Sequence, residues 1–430
     1  MTVMVRSLIG AFLGVLACVE LSAQPLVYPP AVGNGWPTET LQQLGWCQSG
    51  LDSLLAFAQR EDSKALLVLH NGHLVVEEYF GTFTSDSAWY WASAGKALTA
   101  SLVGQAWALG ELDTAAPSRT YLGAGWSSLT PAQEASIRVR NHLTMTTGLN
   151  DGLSNPDCTL PVCLQYLAPA GSRWAYHNAP YTVLDALLQG ATGQSPNGLV
   201  QTRIRPLTGI QGAYFPMGDN QVFWSKPRSM ARFGLLIQGH GKWNGAPVVD
   251  SSWVYEMVHP SQGLNPAYGF LWWLNGQSSY RLPQSQFVFN GPLFPDAPSD
   301  VFAALGKNGQ ILFVAPSLGL VVVRMGESPS SVPVPFLMAN ELWKRVNRLL
   351  CLSQEEESLR LDPLLVHWEG GAPRVQIRPN SVLQIRDVFG QEILRISANE
   401  NGWVDLPALS AGWWTLRTDE GQWGQYGCFR

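Results

Sequence analysis

At 430 residues, 46% of them hydrophobic and 14% charged, the chain is too long for one small core and ordinary enough in composition to fold. A formal net charge of −5 and a pI near 5.8 leave no basic stripe of the kind a phosphate backbone needs, so nucleic acid is excluded as an expected partner.

Residues 1–23 read as a secretory signal peptide: Arg6, an apolar run over residues 8–19, then Leu21-Ser22-Ala23 ahead of Gln24. A lipoprotein site at Val15-Leu16-Ala17-Cys18 fits less well, because Leu16 is bulky where a small or β-branched residue is usual. The expected location is therefore exported: periplasm, cell surface or exterior. Beyond residue 24 no apolar run approaches the ~20 residues that cross a bilayer, so no transmembrane span is expected. Export also permits disulfides. Cys158 and Cys163, in a loop bearing Pro and Asn, have the spacing of a short clasp and not that of a redox or zinc C-x-x-C.

A Pro-rich segment, 24–40, leads into a helical pattern over 41–59. In "KALLVLHNGHLVVEEYF" two strand-like runs meet at Asn71-Gly72, whose residues both tolerate positive φ, so a hairpin is predicted. From Ala92 to Leu109 apolar residues recur at helical intervals and Gly110 closes the run. Short helices and loops fill 120–190. "PRSMARFGLLIQG" is a further helix stopped by Gly239 and Gly241. "YGFLWWLN" reads as an aromatic strand, "QILFVAP" and "LGLVVVRMG" as a second hairpin, and "VPFLMANELWKRVNRLLC" as a closing amphipathic helix. The order implies an α+β fold with a helical lobe inserted between halves of one antiparallel sheet. A charged linker over 353–373 then precedes short alternating runs over 374–430, the texture of a small all-β sandwich.

The chemistry starts at Ser93 and Lys96. Three apart on a helix, the two side chains share a face. A buried lysine loses hydration, its pKa falls, and it becomes able to take a proton from a serine. A helix-cap serine beside a snorkelling lysine would give the same letters. The chain's single Y-x-N, Tyr176-His177-Asn178, and its single K-x-G, Lys307-Asn308-Gly309, follow in order.

These three elements, with "SAGKALTASLVGQAWALGELD", "RNHLTMTTGL", "WAYHNAPYTVLDALLQGATG" and "YGFLWWLN", resemble the serine β-lactamase and penicillin-binding-protein superfamily, its class C-like branch, over about residues 45–350. The resemblance implies a β-lactamase/transpeptidase-like domain over 41–352. It makes Ser93 the nucleophile and Lys96 and Tyr176 the proton-handling pair, with Lys307 a second positive charge. Asn178 would hold Lys96 and the substrate amide. The backbone N–H groups of Ser93 and Gln310 would form the oxyanion hole, and Asn308 and Gly309 would border the substrate. It also places the helices that carry Cys47 and Cys351 on one sheet face, which suggests a bridge between these cysteines.

Asn308 departs from the pattern, because the family usually has Thr or Ser there to bind a substrate carboxylate. "GKNGQ" is closer to esterases and 6-aminohexanoate-dimer hydrolases. The expected activity is hydrolysis of an ester or amide in a small-molecule or peptide-like substrate. A β-lactamase or D-Ala-D-Ala carboxypeptidase and a non-hydrolytic penicillin-binding or envelope sensor are the alternatives, with a structural surface protein behind them.

Seven histidines show no compact ligand spacing, and no G-x-S-x-G elbow occurs, so neither a metal, a cofactor nor an α/β-hydrolase is expected. His177 is expected to hydrogen-bond behind the reacting groups. Among 18 tryptophans, Trp174, Trp272 and Trp273 are the candidates for lining a cleft. Finally, Asp387-Val388-Phe389-Gly390 and Asp405-Leu406-Pro407-Ala408-Leu409-Ser410-Ala411-Gly412 resemble the C-terminal sorting domain of type IX secretion cargo, which would make secretion machinery a partner.

Overall fold

The structure, a computed structural model, describes residues 25–328, 334–352, 366–369, 372–377, 379, 381–386, 392–406, 412–418 and 423–428. The expected signal peptide, most of the expected linker, the 387–390 turn and residues 407–411 lie outside them. The chain divides after Cys351 into two compact units.

The first unit is built on an antiparallel sheet of six strands: β1 (Ser63–His70), β2 (His73–Tyr79), β3 (Trp273–Leu274), β4 (Phe302–Gly306), β5 (Gln310–Ala315) and β6 (Leu320–Gly326). Their order is β2-β1-β6-β5-β4-β3, so the two N-terminal strands complete a sheet begun by the C-terminal ones. The continuous apolar text of "LLVL" and "LVVV" follows from burial on both faces. Along β5 successive side chains alternate faces: Phe313 packs on Trp343 of helix α5 (Phe336–Leu349), whereas Leu312 lies against Gly234 of helix α4 (Pro227–Gln238).

Between β2 and β3 run helices α2 (Gly95–Ala108), α3 (Asn178–Thr192) and α4, with shorter pieces. This is the expected inserted lobe. The Asn71-Gly72 turn has both residues at positive φ, 47° and 87°, as the hairpin required.

Helix α1 (Gln48–Arg60) packs on α5 so closely that a Cβ on Gly50 would strike the Arg348 carbonyl. Cys47–Cys351 joins the ends of these two helices, and Cys158–Cys163 closes its loop.

Three local expectations need correction. The single helix over 41–59 is two pieces, because Gly45 turns left-handed at φ 69° and Cys47 donates its N–H to the Leu349 carbonyl. Only Trp273 and Leu274 of "YGFLWWLN" pair as strand, the chain bending at Leu271 with φ 63°. Strand β4 and the hairpin Gly212–Met217 with Asn220–Ser225 had no reading as strands, since small, aromatic and Pro residues blur their alternation.

Among its described residues the second unit holds two antiparallel sheets, of three and four strands, with Val375, Leu383, Ile385, Val404 and Leu416 in one apolar cluster. Its first described strand, Val366–Glu369, begins ahead of residue 374. Among the described residues no helix is long and apolar enough to cross a membrane.

Candidate active site

Trp91 anchors the turn that carries Ser93: it is fully buried, its indole N–H donates to Ser225 Oγ at 2.8 Å and its backbone N–H to the Phe223 carbonyl at 2.8 Å. Ala92 then takes a left-handed φ of 47°, a conformation that costs an L-residue about 1–2 kcal/mol. Ala92–Ala94 form one 3-10 turn that leads into α2. Ser93 therefore sits on a held corner. Strand β4 closes against it, because Gly306 has no Cβ to meet the Trp91 carbonyl.

Lys96, one turn on, is 3% exposed, and its Nζ donates to Ser93 Oγ and to Asn178 Oδ1, each at 2.9 Å. The rings of Tyr181 and Tyr176 lie 4.2 and 5.2 Å from Nζ. Burial brings the Lys96 ammonium down to about 7, with the Asp157 carboxylate acting in the opposite sense. Asn178 is the first residue of α3, and its Nδ2 donates to Asp157 Oδ1 at 2.8 Å.

Tyr176 is hydrogen-bonded with Ser93 and packed against Trp273, whose ring stacks at 5.4 Å, Tyr268 at 6.1 Å and Trp174 at 6.5 Å. Burial pushes its hydroxyl well above the usual tyrosine value, the Ser93 contact working the other way. At neutral pH the phenol keeps its proton.

Lys307 follows β4 and is exposed. Asn308 and Gly309 both adopt positive φ, 62° and 75°. Asn308 Nδ2 donates to Tyr90 Oη at 2.7 Å and to Glu327 Oε2 at 2.9 Å, so both amide hydrogens point at protein acceptors. Gln310 is buried, its Nε2 donating to the carbonyls of Lys307, Asn308 and Gly326 and its Oε1 accepting the Gly326 N–H. That side chain braces the turn.

Thus Ser93, Lys96, Tyr176 and Asn178 converge, and the Lys307-Asn308-Gly309 turn follows the strand that presses on the Ser93 corner. His177 is buried, and its ring N–H faces the Pro156 carbonyl as acceptor, with burial lowering its pKa to about 4. Trp174, Trp272 and Trp273 do not line a cleft: all are at most 1% exposed, the first and last backing Tyr176 and Trp272 stacking on Phe233 in the core. Asp157, Tyr181, Tyr90, Glu327 and Arg324 escaped sequence reasoning, since none stands in a motif. Among the described residues no group of His, Cys, Asp or Glu is placed to hold a metal.

The beta-lactamase family model matches residues 42–337. The chain belongs to the beta-lactamase family. It is a serine hydrolase of that family, with the fold of its solved members. A protein described as a 6-aminohexanoate-dimer hydrolase from Bacillus anthracis is 20% identical, with a TM-score of 0.57 over 76% of this chain and 91% of that one. A family VIII carboxylesterase is 13% identical, TM-score 0.54, over 73% and 99%. A penicillin-binding protein homologue from Caulobacter crescentus is 12% identical, TM-score 0.54, over 70% and 98%. At these identities the likeness is one of fold. No curated protein matches the chain.

Proposed function

We propose that this beta-lactamase-family chain is an exported hydrolase that opens an ester or amide through an acyl-enzyme on Ser93. The observation that carries the reading is the buried Lys96 amine 2.9 Å from Ser93 Oγ, with a pKa brought down to about 7. A neutral amine at that distance is a base for the serine proton.

Ser93 Oγ bonds to the substrate carbonyl carbon as its proton passes to Lys96 Nζ. The carbonyl electron pair moves onto oxygen, where the N–H groups of Ser93 and Gln310 stabilise it. The intermediate collapses, the carbon–oxygen or carbon–nitrogen bond to the leaving group breaks, and that group takes the proton back through Lys96 and the Tyr176 hydroxyl. Water then attacks the acyl-enzyme by the same route and frees Ser93. Asn178 orients Lys96, and exposed Lys307 adds positive charge at the mouth. Gly309 lets the turn close.

Two substrate classes compete. A β-lactam or D-Ala-D-Ala peptide brings a carboxylate that needs donors, and both amide hydrogens of Asn308 are occupied by Tyr90 and Glu327. An ester or amide without that carboxylate suits the turn better. The similar structures described as a 6-aminohexanoate-dimer hydrolase and a carboxylesterase are in keeping with this choice. Two disulfides agree with an oxidising destination, and the C-terminal unit is proposed as a sorting domain read by type IX secretion machinery.

Intact-mass analysis after exposure to a p-nitrophenyl ester, a penicillin and a fluorophosphonate, beside Ser93→Ala, tests the reading. A single adduct on the wild type alone, released fastest from the ester, supports it. Rapid turnover of penicillin would move the assignment to β-lactamase, and no adduct with any probe would make the protein a non-hydrolytic binding module.

A further inference from the structure

We infer that Asp157, outside every sequence motif, is a positioning residue for the reaction: its carboxylate fixes the Asn178 amide with oxygen toward Lys96. The inference rests on the Ser93 hydrolase reading and deepens it.

An asparagine amide has a donor end and an acceptor end of nearly equal shape, so its neighbours decide which way it points. An ionised carboxylate accepts only. Asp157 Oδ1 lies 2.8 Å from Asn178 Nδ2, which commits the other end, Oδ1, to Lys96 Nζ at 2.9 Å. Without Asp157 the amide could turn its hydrogens to the lysine, offering a donor where the lysine needs an acceptor. Lys96 would then lose a tether that aims it at Ser93.

The loop around Asp157 is tied on three sides. Its own N–H donates to Asn155 Oδ1 at 3.1 Å, the Ala179 N–H of α3 donates to the Pro156 carbonyl at 3.1 Å, and Asn155 Nδ2 reaches Asp219 of the neighbouring hairpin at 2.8 Å. The next residue, Cys158, is buried and clasped to Cys163. The carboxylate also sits at the N-terminus of a 15-residue helix, where negative charge is favoured. Around Lys96, the charged or titratable groups are Tyr176 and Tyr181, whose rings face it, and Asp157.

The test compares wild type, Asp157→Ala and Asp157→Asn, all shown folded by thermal unfolding, using p-nitrophenyl ester kinetics across pH and neutron crystal structures, which tell the amide oxygen from the nitrogen. Fluorophosphonate labelling of Ser93 in the wild type is read first and judges the hydrolase reading alone; the crystal structures judge Asp157 whatever that labelling shows. Expected are an Asn178 amide rotated off Lys96 in Asp157→Ala and a fall in kcat of about 100-fold with KM little changed. Asp157→Asn, which still offers an acceptor, recovers most of kcat, with the acid limb of the profile moved to lower pH because the charge is gone. An unmoved Asn178 amide in Asp157→Ala, or wild-type kcat in that variant, overturns the inference.

Discussion

Gly306 lies against the carbonyl of Trp91, with Ala92 and Ala94 just beyond, so a side chain at 306 would push β4 away from the corner that holds Ser93. Its φ of −134° is ordinary, and close approach alone explains the glycine. Gly306→Ala is expected to lower kcat/KM by about 100-fold through misplacement of the nucleophile against the Lys307–Gln310 turn. Ester kinetics beside a melting curve check this. A folded variant with the wild-type rate would show that the contact does not set the geometry.

Lys96 gives the pH dependence. Buried, and with Asp157 only partly offsetting that burial, it titrates at about 7, and only the neutral amine can accept the Ser93 proton. kcat/KM should therefore rise with slope one across about pH 7 and level off above it. A profile that falls over this range would make Lys96 an acid in the rate-limiting step. Stability follows the same titration with its own sign. The unfolded chain keeps the lysine proton to about pH 10.4, the folded one releases it near 7, so folding is penalised most below 7 and progressively less up to about 10. Lys96→Met should stabilise the protein by a few kcal/mol at pH 6 to 7, with the gain fading toward pH 10 and activity lost throughout.

These groups were unequally visible in the letters. Ser93, Lys96, Tyr176, Asn178 and Lys307 stand in three spaced motifs, and the main sheet announced itself through "LLVLHNGHLVV" and "LGLVVV", where burial on both faces demands unbroken apolar runs. Strand β4, which carries the Lys307 turn, stayed hidden because "FAALG" has no alternation and no β-branched residue. Asp157 reaches Asn178 across 21 residues and Arg324 reaches the Asn308 and Gly309 carbonyls across 16 and 15, and pairwise spacing holds no record of such contacts. The tryptophans misled for a related reason: aromatic residues that back a buried tyrosine such as Tyr176 and those that line a cleft have the same letters.

Arg324, on β6, is 2% exposed, and its guanidinium donates to the carbonyls of Asn308, Gly309, Glu61 and Glu327 and to Ser63 Oγ. It is the brace behind the two positive-φ residues that precede Gln310. A lysine offers one point charge where five donors in a fixed plane are used. Arg324→Lys should destabilise by about 2–4 kcal/mol, since several buried carbonyls lose their partner, and should lower kcat more than it raises KM. Urea unfolding and ester kinetics separate the two effects. Unchanged kcat in a destabilised variant would confine Arg324 to stability.

Asp185 supplies a prediction that no catalytic role would produce. On α3, its Oδ1 is buried with no hydrogen-bond partner among the described residues, in a cavity bordered by Trp126, Thr182, Asn197 and Tyr214. Burial raises its pKa to about 7. Between about pH 4 and 7 the folded chain holds a proton that the unfolded chain has released, so stability falls as pH rises through that window and the loss is complete above 7. Asp185→Asn keeps the shape and removes the charge. It should leave stability unchanged near pH 4 and raise it by a few kcal/mol at pH 8, read as urea midpoints at several pH values. An equal gain at every pH would mean that side-chain packing, and not the buried charge, limits this part of the lobe.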